Sequence, residues 1–234
     1  MGEIVSLERK ATTIRDMMAK NQKLIESALP RHMSPDRFLR IALTSMSKNP
    51  KLLECTPRSL FGAVLQCAQL GLETDDLRGQ AYLIPFRNKG VYEVQVMVGY
   101  KGFLELVYRT KKVLDITAEV VHEQDEFSFQ HGSGDNEFLT HKPYMGDDPG
   151  ELIAAYVKVK FAAGHERFAV LPRREVMKAA SSSRAYRDNS GPWITHEDEM
   201  WKKTALRRIC KTVPMSPEVA TAIALEERES AGIA

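Results

Sequence analysis

The sequence lacks long apolar runs and is poor in cysteine. None of its apolar runs approaches the ~18 residues of a membrane-spanning helix, and the amino-terminus has no signal-peptide core. We therefore expect a cytoplasmic protein. The three cysteines, Cys55, Cys67 and Cys210, are scattered through helical patterns. Their spacing indicates buried, reduced thiols and argues against a disulfide framework or a zinc site.

Three common catalytic motifs are also missing. The chain has no G-x-x-x-x-G-K-S/T phosphate loop, no G-x-S-x-G nucleophile turn and no H-E-x-x-H zinc helix. Four histidines lack the spacing of metal ligands: His122, His131, His141 and His165. Loop carboxylates at Asp75, Asp76 and Asp125 are typical of solvated turns. We predict that no cofactor is required, and a Mg²⁺ site built from these groups stays open as an alternative.

Charge is strongly patterned along the chain, although the formal net charge is only +2. Residues 115–151 carry ten acidic side chains and one basic side chain, whereas residues 152–214 carry thirteen basic and six acidic ones. Residues 1–72 are also basic, with eleven cationic and six anionic side chains. Two basic segments around an acidic one suit a polyanion, a neighbouring subunit or both. A solvated mixed surface is the alternative.

The first 72 residues predict a helical lobe. Residues 12–29 place apolar side chains on one side of a helix. Ser34-Pro35 and Thr56-Pro57 each join an N-cap residue to a proline at the first helical position, so a helix should follow each pair. Gly71 then suits a carboxyl-terminal cap. These signals predict three helices.

A β-hairpin is predicted next. Two alternating runs flank Asn88-Lys89-Gly90, which is the pattern of a tight hairpin turn. Each run keeps apolar residues on one face: Tyr82, Ile84 and Phe86 in the first, and Val94, Val96 and Val98 in the second.

A short helix should follow the Gly99-Tyr100-Lys101-Gly102 turn. Its apolar stripe consists of Phe103, Leu104, Leu106 and Val107. Arg109, Lys111 and Lys112 crowd its carboxyl-terminal end, which suits the helix dipole. They also form a cationic cluster that we expect close to Tyr100 and Lys101. Tyr100 is a candidate for stacking on a base, although a strand-end aromatic more often belongs to a core or an interface.

Residues 113–171 predict mainly strands. Residues 113–122 and 152–162 alternate clearly, and residues 126–129 and 138–141 suggest two shorter strands. The strand at 152–162 has one face made of Ile153, Ala155, Val157, Val159 and Phe161, and another made of Tyr156, Lys158 and Lys160. Gly164 turns the chain into a further strand at 166–171.

The remainder predicts helices, over residues 173–182, 195–213 and from Pro217 onward. Thr195 with Asp198 approximates a capping box for the long helix. Its apolar face consists of Trp201, Ala205, Leu206, Ile209 and Val213. The fold class is therefore α+β. A helical lobe (1–72), a β-rich core with a short helix (73–171) and a helical segment (172–234) are expected to form one compact domain.

The long helix also carries a cationic row. Lys203, Arg207 and Lys211 follow the side opposite the apolar face, with Arg208 at its margin, whereas Lys202 falls in the apolar sector and needs a partner or a path to solvent. Apart from Glu199, no acidic residue lies four positions from a member of the row. An uncompensated row repels itself, so a bound polyanion is a sensible reason for it. A solvated face is the alternative.

Six motifs follow one another along most of the chain: LPRHMSPDRFLRIA, SLFGAVLQCAQLGLE, AYLIPF, GYKG, EQDEFSF and GPWITHEDEMWKKTALRR. In this order and spacing they resemble the RecT family of phage single-strand annealing proteins. The resemblance implies ATP-independent binding of single-stranded DNA, annealing of complementary strands without bond chemistry, and assembly into rings or helical filaments in a bacterial host cell. It also implies a partner exonuclease that makes single-stranded tails.

The resemblance places the family's basic positions on Lys101, Lys202, Lys203, Arg207 and Arg208. Family members tend to have glycine where this chain has Lys111. With the cations from the helix patterns, the full set expected to bind DNA is Tyr100, Lys101, Arg109, Lys111, Lys112, Lys202, Lys203, Arg207, Arg208 and Lys211. We expect the region of Lys101 and the long helix to hold phosphates and to leave the bases outward.

Two other classes of function compete with annealing. A metal-dependent nuclease would need a close set of carboxylates, which the sequence does not display. A purely structural assembly protein would use the charged segments for subunit contacts alone.

Overall fold

The computed structural model describes residues 12–75, 77–132, 136–213 and 216–230, and the fold is α+β as predicted. Helices α1 to α5 are residues 12–20, Gln22–Ala28, Pro35–Lys48, Pro57–Leu70 and Tyr100–Arg109, with a 3₁₀ helix at Pro50–Glu54. Strands β1 to β7 are Ala81–Asn88, Val91–Val98, Val113–His122, Glu126–Gln130, Phe138–Lys142, Leu152–Phe161 and Glu166–Pro172. Helices α6 to α10 are Arg173–Ser182, Arg184–Arg187, Pro192–Thr195, Glu197–Cys210 and Pro217–Ser230.

The chain divides into two compact units. The first unit combines Met1–Leu106 with Ser216–Ala234, and the second is Val107–Met215, so the division falls inside α5. In the first unit, α4 and α10 both pack against β2. Contacts therefore group β1, β2 and α10 with the amino-terminal helices.

Cap residues define helices of the first unit. Ser34 Oγ accepts a hydrogen bond from the Arg37 N–H at 3.4 Å, and Thr56 Oγ1 accepts one from the Ser59 N–H at 3.3 Å. Gly71 closes α4 in the left-handed conformation, with φ of 62°. All three caps confirm the sequence prediction.

The helix predicted over residues 12–29 is interrupted. Asn21 lies between α1 and α2 and has φ of −106° and ψ of 15°. Its side-chain amide donates to the Met17 carbonyl at 2.8 Å, and the Asn21 backbone N–H donates to the same oxygen at 3.1 Å. Ile14 and Ile25 are nevertheless 1% and 0% exposed, so the apolar face continues across the break.

Strands β1 and β2 form the predicted antiparallel hairpin. The turn residues Lys89 and Gly90 have positive φ, 45° and 91°, the combination that a type I′ turn requires. The second strand buries the three valines predicted to share a face. On β1 the buried face includes Leu83, which pairs with Val96, whereas the predicted face containing Tyr82 is only half-buried.

The Gly99-Tyr100-Lys101-Gly102 motif docks on the backbone of residues 79–80. The Gly99 N–H donates to the Gln80 carbonyl at 2.8 Å. A Cβ atom at Gly99 would overlap the Gly79 carbonyl oxygen, and one at Gly102 would overlap the Gln80 carbonyl oxygen. Both positions therefore require glycine. Helix α5 begins inside the motif, at Tyr100, earlier than predicted.

An antiparallel sheet in the order β3-β6-β7 forms the centre of the second unit, and α9 packs on it. Trp201 and Leu206 of α9 are each 0% exposed. The alternation predicted for β6 holds except at Ile153, which is 39% exposed. The strand register shifts by one residue at this point. Ala154 pairs with Val121 and Leu152 pairs with His122, so Ile153 is an extra residue between the two pairs. A bulge of this kind turns one side chain out of alternation.

Strands β4 and β5 form a second hairpin, which confirms both short strands predicted from the sequence. Phe127 and Leu139 pack against a buried cluster of Val121, Ala154 and Tyr156 on the sheet. The hairpin therefore covers part of the sheet by apolar contact.

A buried polar cluster joins this hairpin to the sheet. Asp125, whose side chain is 3% exposed, accepts hydrogen bonds from the backbone N–H groups of His122 at 2.7 Å and Tyr144 at 2.8 Å. His141 Nε2 lies 3.0 Å from Asp125 Oδ2, and His141 Nδ1 lies 3.2 Å from the Tyr156 hydroxyl. Burial alone would raise the pKa of Asp125, but these hydrogen bonds hold that pKa below its ordinary value.

The long helix α9 begins later than predicted. Thr195 ends α8, and the N-cap of α9 is His196, which makes no side-chain capping bond. The capping box of Thr195 with Asp198 is therefore wrong. Pro192 starts a separate helical turn, in which the Thr195 hydroxyl donates to the Gly191 carbonyl at 3.3 Å. The acidic first turn of α9 is present as predicted.

The three cysteines are buried thiols, as predicted. Burial raises the pKa of Cys67 and of Cys210 to about 12, so both are protonated at neutral pH. In the described parts of the chain, no helix is both long and apolar enough to cross a membrane.

Replacing Gly102 by alanine is expected to destabilise the protein, because the new methyl group would overlap the Gln80 carbonyl oxygen. We expect the free energy of unfolding to fall by about 2 kcal/mol, a cost typical of overpacking. Gly62→Ala is the control, since a Cβ atom at that helical glycine meets nothing within 4 Å. That change should raise stability by about 0.5–1 kcal/mol. Urea unfolding followed by circular dichroism measures both, and equal effects would contradict the close backbone approach.

Replacing Asp125 by asparagine should lower the free energy of unfolding at pH 7 by about 2 kcal/mol, because hydrogen bonds to a charged group are lost. The folded-state pKa of Asp125 is lowered, so its contribution is full above the unfolded carboxyl pKa of about 3.9 and is lost as pH falls through the folded-state value. The difference between the two proteins should therefore shrink in acid. Urea unfolding from pH 7 to 3 tests this, with exposed Asp147→Asn as control. A difference that stays constant with pH would contradict the assignment.

Candidate nucleic-acid interface

The residues predicted to bind DNA divide between the two units. Tyr100 and Lys101 belong to the first unit. The second unit holds Arg109, Lys111, Lys112, Lys202, Lys203, Arg207, Arg208 and Lys211.

Tyr100 and Lys101 occupy the first turn of α5. Tyr100 is half-buried, whereas Lys101 is exposed. The Lys101 side chain passes 3.7 Å from the Cβ position of Gly79, so it lies against the turn on which the motif docks. Arg109 is the last residue of the same helix, and the cationic cluster predicted close to Lys101 therefore begins at the other end of α5.

Lys111 occupies a strained position. Its φ is 57°, in the left-handed region where glycine has no steric penalty and a lysine does. A glycine at this position would adopt the same conformation without that penalty. Lys111 and Lys112 are both exposed and lead directly into β3.

Lys202 has the partners that its position in the apolar sector demanded. Its Nζ lies 3.3 Å from a Glu119 oxygen on β3 and 3.7 Å from a Glu199 oxygen on its own helix. Only 22% of the side chain is exposed. Of the two predicted alternatives, a partner or a path to solvent, the structure shows a partner, and the two carboxylates balance the charge of Lys202.

Lys203 is buried, with 9% relative exposure. The prediction that it follows the solvated side of α9 with Arg207 and Lys211 is wrong. The helix has neighbours on more than its apolar face: it packs on all three strands of the sheet and also contacts α6 and α8. A helical wheel that assumes one buried face and one exposed face does not describe a helix that is covered on several sides.

The row on α9 is also less isolated than predicted. The Arg208 guanidinium lies 3.6 Å from a Glu175 carboxylate oxygen on α6, and the Arg208 side chain is 61% exposed. The prediction considered neighbours on the same helix only, whereas this partner comes from a helix packed beside it. Arg207 is half-buried and Lys211 is exposed.

The carboxyl-terminal end of α9 lies toward the end of the sheet where Lys112 enters β3. The Thr212 carbonyl accepts a bond from Arg167 at 3.4 Å, and Arg167 pairs with Val159 of β6. The Lys112 carbonyl accepts from the Ala162 N–H at 2.9 Å, directly after β6. Arg167 is exposed and joins the candidate cations, although sequence reasoning missed it. Along β7, Arg167 alternates onto the same face as Val159, the residue it pairs with on β6. This alternation was the sequence signal that could have identified Arg167.

The RecT family model matches residues 36–233. The chain belongs to the RecT family. It is 40% identical to Protein RecT of Escherichia coli (strain K12) over 209 residues, which cover 88% of this chain and 76% of that protein. It is also 24% identical over 121 residues to Uncharacterized protein YqaK of Bacillus subtilis (strain 168), covering 51% of this chain and 40% of YqaK. Membership of the RecT family supports a role in DNA recombination and single-strand annealing.

In this RecT-family chain, part of the charge segregation is balanced internally. Glu119 of the acidic segment 115–151 pairs with Lys202, and Glu151 lies 3.3 Å from Arg173. Both partners come from the basic segment 152–214. Contacts within one chain therefore account for some of the pattern that was predicted to serve a polyanion or a neighbour.

A metal site has little support from the described residues. They contain no group of three or more His, Cys, Asp or Glu side chains arranged to hold a metal ion. Asp125, one of the predicted alternatives, is taken up by hydrogen bonds to His122, His141 and Tyr144. Asp76 lies outside the described residues.

Proposed function

We propose that this RecT-family protein anneals complementary single strands of DNA without ATP. Its match to the family over residues 36–233 is the observation that carries the proposal. The exposed cations on α9 and around it support the same function, because a protein that brings two polyanions together must neutralise phosphate charge.

The proposed phosphate contacts are the exposed or half-exposed cations. They are Lys101 in the first unit and Arg109, Lys111, Lys112, Arg207, Arg208 and Lys211 in the second, with Arg167 added from the structure. Lys203 is left out because it is buried, and Lys202 contributes less because Glu119 and Glu199 already balance it. Tyr100 is half-buried and keeps its proposed role as a contact at the start of α5.

Annealing by this route needs no covalent chemistry. Cations hold the first strand by its sugar-phosphate backbone and leave base edges accessible to a second strand. Counterion release favours the bound state, and base pairing and stacking drive the exchange, so neither ATP nor a required cofactor enters the scheme. In recombination such a protein would act on single-stranded tails made by a partner exonuclease.

Self-assembly is the second part of the proposal. The β4–β5 hairpin and the loop after it expose large apolar side chains: Phe129 at 42%, Phe138 at 42%, Tyr144 at 47% and Met145 at 92%. These side chains lie within the acidic segment 115–151. Apolar contact and attraction between opposite charges would therefore both favour association of this region with the basic surface of a second copy. Rings and helical filaments arise from head-to-tail contacts of this kind.

A fluorescence annealing assay with two complementary oligonucleotides and no nucleotide tests the function. The wild-type protein should speed duplex formation, and its binding to one strand should weaken steeply with salt. Arg207→Ala should slow annealing and lower the slope of log K against log salt by about 0.7, the value for one lost phosphate contact on a single strand.

Lys142→Ala is the control, because Lys142 is a 75% exposed lysine of the same unit that is not among the proposed phosphate contacts, and it should leave the slope unchanged. Circular dichroism verifies that both variants fold. An unchanged slope in Arg207→Ala removes that residue from the contact surface. Cleavage of labelled DNA that needs Mg²⁺ and stops with chelator would favour a nuclease, and no affinity at low salt would favour a purely structural protein.

Met145→Lys should weaken self-assembly on DNA, because it removes an exposed apolar side chain and places a positive charge where the basic surface of a second copy would dock. Analytical ultracentrifugation at micromolar protein with an oligonucleotide measures the assembled fraction. Leu114→Lys is the control, since Leu114 is 60% exposed on β3 and outside the hairpin. A protein that stays monomeric on DNA would contradict the assembly proposal.

A further inference from the structure

We infer that Arg37 and Arg78 form, together with Lys101, a phosphate-contacting patch in the first unit, and that buried Glu73 is the residue that positions both arginines. The inference deepens the proposed function and rests on it. It adds two binding residues and one positioning residue that the sequence patterns did not indicate.

Glu73 holds two arginines from different parts of the chain. Arg37 on α3 meets its carboxylate in a fork, with Nε 2.8 Å from Oε1 and a terminal nitrogen 3.3 Å from Oε2. Arg78 approaches from the loop after Glu73, with Nη1 2.9 Å from Oε2. The Glu73 side chain is 7% exposed, whereas those of Arg37 and Arg78 are 47% and 49% exposed.

This arrangement has more positive charge than a structural ion pair needs. One arginine is enough to neutralise one buried carboxylate, and a second leaves an excess charge at an exposed position. A guanidinium has five N–H donors, of which Glu73 engages two on Arg37 and one on Arg78. Both arginines therefore keep donors for a second anion, and the fork geometry suits phosphate oxygens.

The loop that carries Arg78 is built onto the start of α5. The Arg78 and Gly79 N–H groups both donate to the Asp75 carbonyl, at 3.1 and 3.0 Å, and close a turn. The backbone of Gly79 then packs against Gly99, and the Lys101 side chain lies beside Gly79. The fold thus brings Lys101 to the turn that begins with Arg78.

The net charge of this patch is only slightly positive, so its attraction for an anion is modest. Arg37 and Arg78 pair with the Glu73 carboxylate, Asp75 acts on Arg37 electrostatically, and Lys101 adds a third positive charge beside Gly79. The described members therefore sum to one excess positive charge. A patch of this kind supplies part of a positively charged path along the backbone of single-stranded DNA.

The first experiment compares Arg78→Gln with Arg87→Gln in binding a fluorescent single-stranded oligonucleotide across a salt series. Arg87 is an exposed arginine of the same unit, near the far end of β1 and about 20 Å along the strand from Ala81. Arg78→Gln should lower the slope of log K against log salt by about 0.7, and Arg87→Gln should not. Arg78→Gln leaves the fork between Arg37 and Glu73 intact, so the variant should fold, as a thermal unfolding scan verifies.

The second experiment asks whether removing the negative charge of Glu73 tightens or weakens DNA binding. Glu73→Gln removes a negative charge beside the proposed site. If Glu73 were only a nearby anion, its loss would tighten DNA binding; if it positions Arg37 and Arg78, binding should weaken by about tenfold, the value of one lost charge-assisted contact. Arg37→Lys keeps the charge but loses the fork and should weaken binding as well.

The outcomes separate this inference from the proposed function. A wild-type protein without salt-dependent affinity for single-stranded DNA would overturn both. A wild-type protein with a steep salt slope, combined with equal slopes in Arg78→Gln and Arg87→Gln or with tighter binding by Glu73→Gln, would overturn the patch alone.

Discussion

Carboxylates from distant parts of the sequence hold the cations of this protein. Glu119 of β3 meets Lys202 of α9, Glu175 of α6 meets Arg208, and Glu73 meets two arginines. Apart from Glu73 and Arg78, which share one loop, each pair spans two elements, so it forms only when those elements are packed. The cations of such a surface repel one another, and carboxylates beneath or beside them reduce that repulsion in the folded protein. The position of the cations thus depends on tertiary structure, although their presence is a property of the sequence.

Local chemistry made much of the fold predictable. The N-caps at Ser34 and Thr56, the left-handed cap at Gly71 and the Lys89-Gly90 turn each act over two to four residues. A sequence window contains everything that such signals need. The exceptions are also local, such as the non-helical dihedral angles at Asn21 that interrupt the first helix and the bulge at Ile153. The false capping box at Thr195 arose because a short helix competes for the same residue.

The candidate site was harder to predict, because its properties depend on what packs beside each residue. A helical wheel placed Lys203 in solvent, yet neighbours on several sides of α9 leave it buried. Spacing along one helix cannot indicate that Arg208 meets α6 or that Arg167 reaches the end of α9. The GYKG motif was recognised from the sequence, but the reason for its two glycines is a backbone contact with residues 79–80. The sequence therefore indicates which residue types are present, and packing determines which of them share a surface.

Lys111 illustrates a conflict between conformational stability and surface charge. A lysine with φ of 57° costs this turn about 1 kcal/mol relative to glycine, and the same lysine adds a positive charge next to β3. Stability and charge therefore oppose each other at a single residue. A glycine at this turn would remove both the strain and the charge, whereas lysine keeps both. At this turn the chain therefore gives up some thermal robustness for positive charge at its surface, and because Lys111 is exposed no packed side chain is affected.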